Sequence, residues 1–266
     1  MSREKAIIIG GGVGPLAGVE LHRRIIENTR TDGTDQDHLS IYHLSRSSGI
    51  GDRTDYLTGR ISENPAQGMF HSIELAYESV RKSSDAVVGI PCNTFHAPEI
   101  FDHLLHLIDR SSVNVQILHL LEETFRFLQE TLPRARRIGI LTTTGTRSSG
   151  LYQREMRARG LEIVQIPEEL QPELHDAVYN TQWGLKAQAP VSAEARRLFE
   201  KYVSLLVKED AEGIILGCTE IPLALPEGAF SGIPLVDPLL ALARALIREA
   251  NSRKLKPLAD IARERR

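Results

Sequence analysis

Short apolar runs, separated by longer segments whose apolar residues recur every three or four positions, repeat along the whole chain. Ala6-Ile7-Ile8-Ile9 runs into Gly10-Gly11-Gly12-Val13-Gly14-Pro15 and a helix-like segment from Leu16 to Thr29. Ser40 to Leu44 reads as a second strand, followed by a polar loop over Ser45 to Thr54 and a helix over about Gln67 to Lys82. Val87 to Ile90 leads to Cys92 and to a helix from Pro98 to Ile108, with proline suited to its first turn. Val113 to Leu118 is a strand and Leu120 to Thr131 a helix. The pattern then restarts with strands at Arg137 to Leu141 and Leu161 to Ile166 and a helix through Tyr152 to Arg159. Helices over Gln171 to Tyr179 and Ala193 to Lys208 precede a strand that ends near Cys218; a last strand from Ile233 to Pro238 feeds a helix to Asn251. Strands alternating with helices predict an α/β fold, parallel sheets covered by helices on both faces.

The restart reads as a duplication. Ile7 corresponds to Ile138, Cys92 to Cys218 and Ile117 to Leu235, in the same order and at slowly shrinking offsets, with insertions in the first copy explaining the drift. The expected division is an N-terminal α/β domain over 1–118, completed by the C-terminal helix of about 237–266, and a C-terminal α/β domain over 119–236. The tail from Lys254 to Arg266 reads as a solvated, frayed end. Two similar domains would face their strand ends across one cleft, a favoured place for a ligand.

The chain has 266 residues and a formal charge of -3, which offers no electrostatic reason to expect nucleic acid or an anionic membrane as partner. No apolar run approaches the roughly 20 residues of a membrane span. Met1 to Lys5 leads into the first strand without the apolar core of a signal peptide. With only two cysteines, reduced thiols in a cytoplasmic protein are the expectation.

Those two cysteines share one setting: a short β-branched run, the thiol, small polar residues, then a proline-containing apolar stretch. The end of a buried parallel strand, facing the start of a helix, is where open α/β sheets carry out binding and chemistry. Nearby helix N-termini should favour the thiolate of either cysteine. A nucleophilic hydrolase needs one thiol and a base; His96 lies four residues after Cys92, but no acid partner for it is evident. Cys-x-x-Cys redox spacing is missing, and His103 and His106, on one helix face, have no cysteine in metal-ligand spacing, so no metal is expected. Two opposed thiols suit proton transfer at one carbon from two faces, a thiolate removing a proton and a thiol supplying one.

Gly11-Gly12-Val13-Gly14-Pro15-Leu16-Ala17, Asp52-Arg53-Thr54, Pro91-Cys92-Asn93-Thr94, the run from Gly139 to Thr146, Gly150-Leu151-Tyr152 and Gly217-Cys218-Thr219-Glu220-Ile221-Pro222 together resemble the aspartate/glutamate racemase family, its aspartate racemase branch in particular, over about residues 6 to 248. The resemblance implies a cofactor-independent racemase of two pseudo-symmetric domains, with a small amino-acid substrate held in the interdomain cleft between two catalytic cysteines, Cys92 and Cys218. It implies that Asn93, Thr94 and Thr219, helped by Thr142, Thr143 and Thr144, hold the α-carboxylate and amino group. Arg53 and Lys186 match positions that grip a substrate carboxylate, Glu220 would sit beside the second thiol and the amino group, and Gly12 and Val13 fall among the substrate-binding positions. Homodimers are common in the family.

One stretch departs from the family pattern. Where the family carries Asn-Pro-x-Ile-Pro-Asp-Arg, this chain has Ser47-Ser48-Gly49-Ile50-Gly51-Asp52-Arg53, and glycine for proline leaves the loop more freedom to lose on closing. Aspartate or glutamate is the leading substrate, with a broad-specificity amino-acid racemase as the alternative. From other classes, Gly12-x-Gly14-x-x-Ala17 after a strand satisfies a dinucleotide fingerprint, but Leu44-Ser45 supplies no acidic residue for a ribose. A non-catalytic amino-acid-binding protein would keep the same pocket without turnover.

Overall fold

The computed structural model describes residues 4–80, 85–225 and 227–258. The expected helix end at Lys82 and the tail from 259 onward lie outside these described residues. Two sheets organise the chain. The first has β1 (Ala6–Gly11), β2 (Ile41–Ser45), β3 (Ala86–Gly89) and β4 (Val115–Ile117) in the order β2-β1-β3-β4, all parallel. The second has β5 (Arg137–Leu141), β6 (Glu162–Gln165), β7 (Gly213–Leu216), β8 (Ala229–Phe230) and β9 (Ile233–Val236) in the order β6-β5-β7-β9-β8, with only β8 antiparallel.

The repeat read from the sequence reappears in the strand register. Ile7 pairs with Val87 in the first sheet and Ile138 with Gly213 in the second, and Val87 and Gly213 each lie five residues before their cysteine. Val88 pairs with Ile117, and Ile214 with Leu235, so the third landmark holds as well. The central strands are buried on both faces, which is why their sequences are unbroken apolar runs.

Helices α1 (Pro15–Asn28), α3 (Pro65–Val80), α4 (Pro98–Asp109) and α5 (Leu120–Thr131) accompany the first set of strands; α7 (Leu151–Ala158), α8 (Gln171–Tyr179) and α9 (Ala193–Lys208) accompany the second. The last helix, α10 (Pro238–Asn251), starts at the end of β9 yet packs against α1, α5, β1 and β3. Gly89 of β3 permits that approach, since a Cβ there would lie 2.7 Å from Leu246. Leu242, Leu246 and Ile247 of α10 therefore share one core with Ile7, Ile9, Phe125, Ile138, Ile140 and Tyr152, drawn from both sheets. Each large aliphatic side chain buried there contributes roughly 2 kcal/mol. Separate clusters fill the outer faces of the second sheet, around Phe199 and Tyr202, and of the first, around Met69 and Phe95.

Two short helices escape the periodicity argument because each is barely a turn long: α2 (Arg53–Leu57), capped by Asp52 accepting from the Thr54 and Asp55 amides, and α6 (Thr144–Ser148). They pack together, with Gly145 so near Thr54 that a Cβ would come within 2.4 Å of its hydroxyl. The loop expected over Ser45 to Thr54 thus gives way to helix at Arg53. No helix among the described residues is long and apolar enough to cross a membrane.

Arg24 of α1 reaches the N-cap of α10: its guanidinium lies 2.6 Å from Asp237, whose carboxylate accepts from the Leu239 amide, and 2.8 Å from Glu227. Burial, set against Arg24, raises the Asp237 pKa. Replacing Arg24 by Met strands that carboxylate and should destabilise the protein by about 3 kcal/mol near pH 7. Because a raised carboxyl pKa means that the folded state binds the extra proton, part of the loss should return as pH falls from 7 toward 5. Urea unfolding midpoints at the two pH values measure this; an equal loss at both would contradict it.

Candidate active site

The loops at the carboxyl ends of β1, β3, β5 and β7 meet around one small cavity, of about 10 Å³, the space of roughly one water molecule. Val13, Cys92, Asn93 and Thr94 line it from the first sheet's loops and Arg53 from the start of α2; Thr143, Gly217, Cys218, Thr219 and Glu220 line it from the second sheet's side. Tyr179, the last residue of α8, and Lys186 complete the wall. A far larger cavity, about 350 Å³, lies against Arg24, Phe127 and Leu235 and is mostly apolar. Size and chemistry part company here, and the small cavity holds the thiols.

Both cysteines are buried and free. Cys92 follows β3 through Ile90-Pro91, and the turn Thr94–His96 follows it. The Tyr152 hydroxyl donates to Asn93 Oδ1 at 2.5 Å, while Asn93 Nδ2 is buried without a partner. Burial keeps the Tyr152 phenol protonated by raising its pKa, so it remains a donor and fixes which end of the amide is left over. The Thr94 and Thr146 hydroxyls meet at 2.7 Å, a second tie between residues that follow β3 and β5. Cys218 follows β7, and its carbonyl accepts from the Ile221 amide at 3.0 Å.

Around Cys218 the polar groups form one array. Its thiol donates to Glu220 Oε2 at 3.2 Å, Thr219 donates to the same oxygen at 3.1 Å, and the Lys186 ammonium pairs with Glu220 Oε1. Burial works against the Glu220 charge, but Lys186 and these donors more than offset it and hold the carboxyl below its ordinary range. Lys186 is in turn raised by Glu220 despite burial, and its ammonium stands 5.4 Å from the centre of the Tyr179 ring. Burial first, then the Glu220 charge, push the Cys218 thiol well up. This corrects the expectation from helix N-termini: desolvation and a carboxylate in contact outweigh a partial helix charge, and Cys218 rests as the thiol. Gly14 makes the array possible, because at φ 116° a Cβ would sit 2.2 Å from Glu220 Oε1.

Around Cys92 the neighbour is a cation. Arg53 is buried, donates to the Val13 and Gly51 carbonyls at 3.3 and 3.2 Å, and leaves its Nε without a partner. Burial opposes its charge, and the neighbouring Cys92, Asp52 and Tyr179 more than compensate. The Tyr179 hydroxyl, in turn, points at Asp52 Oδ2, 3.5 Å away.

The structure thus brings together Cys92, Cys218, Arg53, Asn93, Thr94, Thr143, Lys186, Thr219, Glu220 and Val13. Thr142, Thr144 and Gly12 stand behind that wall: the Thr142 carbonyl accepts from Gln171, the Thr144 amide donates to His175, and Gly12 packs on the Arg46–Ser47 backbone. Tyr179 was not foreseen, since an aromatic at a helix end carries no local signal. Among the described residues no group of three or more His, Cys, Asp or Glu is placed to hold a metal.

The family model of the Asp/Glu/hydantoin racemases matches residues 11–246. A glutamate racemase of Carboxydothermus hydrogenoformans is 27% identical over 138 residues, 51% of this chain and 49% of that protein, so the match spans about half the length of that curated relative. The fold is that of an aspartate racemase from Picrophilus torridus, with a TM-score of 0.77 at 23% identity, covering 97% of this chain and 98% of the other. It is also similar to a glutamate racemase from Francisella tularensis in complex with D-glutamate, with a TM-score of 0.60 at 15% identity, covering 96% and 84% of the two chains.

The Cys218 array makes a prediction independent of any substrate. Glu220→Gln removes the carboxylate that raises the thiol and leaves Lys186 beside it, so the pH midpoint for alkylation of Cys218 by iodoacetamide should fall by about one unit or more. A midpoint unchanged or raised would show that Glu220 does not govern that thiol.

Proposed function

The chain belongs to the Asp/Glu/hydantoin racemase family, and from that premise we propose that it racemises a small amino acid, without a cofactor, by proton transfer between Cys92 and Cys218 across the substrate α-carbon. The observation that carries this reading is that both thiols, each just past the end of an equivalent strand, line the same cavity. Cys218 rests as a thiol, so the turnover that starts from this state uses Cys92 as base. As the Cα–H bond breaks, a Cys92 S–H bond forms and the electron pair moves toward the carboxylate. The Cys218 proton then forms the new C–H bond on the opposite face and leaves a thiolate behind. The reverse direction exchanges the roles.

The α-hydrogen is a far weaker acid than a thiol, so the carbanion needs fixed donors. Arg53 Nε and Asn93 Nδ2 are buried donors without partners, suited to a carboxylate whose charge grows in the transition state. Thr94, Thr143 and Thr219 add hydroxyls, with Val13 nearby and Thr142, Thr144 and Gly12 supporting from behind. Glu220 is the carboxylate for the substrate ammonium. The cavity as it stands is too small for an amino acid, so binding requires the two sets of loops to part and then close, which excludes water and strengthens every polar contact.

Arg53 and Lys186 are the two cations of the wall, set against the Glu220 carboxylate and the Cys92 thiolate, and they suit a substrate that carries two carboxylates, aspartate or glutamate. Broad specificity is the second reading, favoured because Lys186 is already paired with Glu220 and because Gly51 stands where the family has proline. We further take 1–118 with the returning C-terminal helix, and 119–236, as the two domains, the cavity lying between them. We take the working form to be a cytoplasmic homodimer with no nucleic-acid or membrane partner.

Incubating the purified protein with each common amino acid in D2O, followed by chiral chromatography and mass spectrometry, tests the reading. The expected product is the opposite enantiomer of aspartate or glutamate with one deuterium at Cα. Cys92→Ala and Cys218→Ala should each lower kcat by about a thousandfold or more while the fold persists; near-full turnover by either would remove the two-base reading. Lys186→Met should reduce kcat/KM for a dicarboxylic amino acid more than for a neutral one, by about tenfold. Equal effects on both would mean that Lys186 does not read the substrate side chain.

A further inference from the structure

We infer that His96 is a positioning residue for Cys92, its ring Nδ1–H holding the Cys92 carbonyl and with it the stretch of backbone that carries the thiol. The inference rests on the racemase reading for its effect on turnover, but its geometry stands apart from that reading. His96 Nδ1 lies 2.9 Å from the Cys92 oxygen, and the residue is buried. The carbonyl only accepts, so the proton shared in that contact belongs to Nδ1. Burial lowers the His96 pKa to about 3, so the ring stays neutral throughout the working range.

The ring is also fixed in place. It packs against Phe101 and His119, each with a ring-centre separation of 4.8 Å, and these two pack on each other at 4.8 Å. His119 is the N-cap of α5, accepting from the Glu122 amide through its ring. A path of packed rings thus runs from the start of α5 to the carbonyl of Cys92. Neither His96 nor His119 lines the cavity, and neither has any part in the proton transfers described above.

The second half solves the same problem differently. Four residues after Cys218 stands Pro222, which offers neither a ring nitrogen nor a backbone N–H, and the Cys218 carbonyl takes the Ile221 amide instead. The control is therefore specific to one thiol. An N–H on the Cys92 carbonyl offsets the negative end of that dipole beside the sulfur and fixes where the sulfur sits, and an error of about 1 Å at a reacting atom can cost roughly a hundredfold in rate.

His96→Phe keeps an aromatic ring and removes the donor, whereas His96→Asn returns an N–H close to the Nδ1 position. Steady-state kinetics, thermal midpoints and separate alkylation rates of the two thiols by iodoacetamide, resolved by peptide mass, make the test. Expected for His96→Phe is a fall in kcat of about tenfold or more with KM within about twofold, and an alkylation rate changed for Cys92 but not for Cys218. His96→Asn should recover much of the kcat and the Cys92 rate. An unchanged Cys92 rate in His96→Phe, or both thiols shifting in step with the thermal midpoint, would overturn the assignment and leave His96 a core residue. Lack of racemisation by the wild-type protein would defeat the function reading alone, because the alkylation pattern still decides the role of His96.

Discussion

The packing of α10 sets the geometry on which everything else depends. The helix leaves β9 in the second sheet and packs against β1 and β3 of the first, with α1 and α5 beside it. Its apolar face joins residues of both sheets in one core, so separating the sheets would expose that whole cluster to water. The two sets of strand ends are therefore held close at one end of the molecule, where polar groups can face each other across a gap of a few ångströms. Thr94–Thr146 and Tyr152–Asn93 are the ties that result.

Bringing charges into that gap demands compensation. A buried carboxylate is costly unless paired and hydrogen-bonded, and Glu220 receives an ammonium, a hydroxyl and a thiol. The same arrangement decides the state of Cys218, because a thiol that donates to a carboxylate in a dry site gives up its proton reluctantly. Cys92 meets a guanidinium instead. Two residues with matching sequence surroundings thus meet neighbours of opposite charge.

The duplicated framework is symmetric in backbone and asymmetric in detail. Both sheets begin with the same strand order and register, and His119 and Asp237 occupy equivalent N-cap positions at the starts of α5 and α10. The residues at those positions have diverged to different tasks: Asp237 takes the Arg24 guanidinium, and His119 packs on His96. Backbone symmetry follows from the parallel ladder, which tolerates many side chains. The side chains answer to local burial and charge, which differ between the halves.

Much of this was legible in the sequence because the signals are local. Apolar runs of strand length, proline at helix starts and the repeated setting of the two cysteines are properties of neighbouring residues, and they carried the succession of strands and helices and the duplication, while the family resemblance named most of the residues of the cavity wall. Short elements such as α2, α6 and β8 were not legible, since a single turn or a pair of residues has no periodicity to read. Nor was Tyr179, or the protonated state of Cys218, or the pairing of Lys186 with a glutamate 34 residues away. Those depend on which groups the tertiary fold buries together, and neither desolvation nor a through-space charge leaves any mark on the order of residues along the chain.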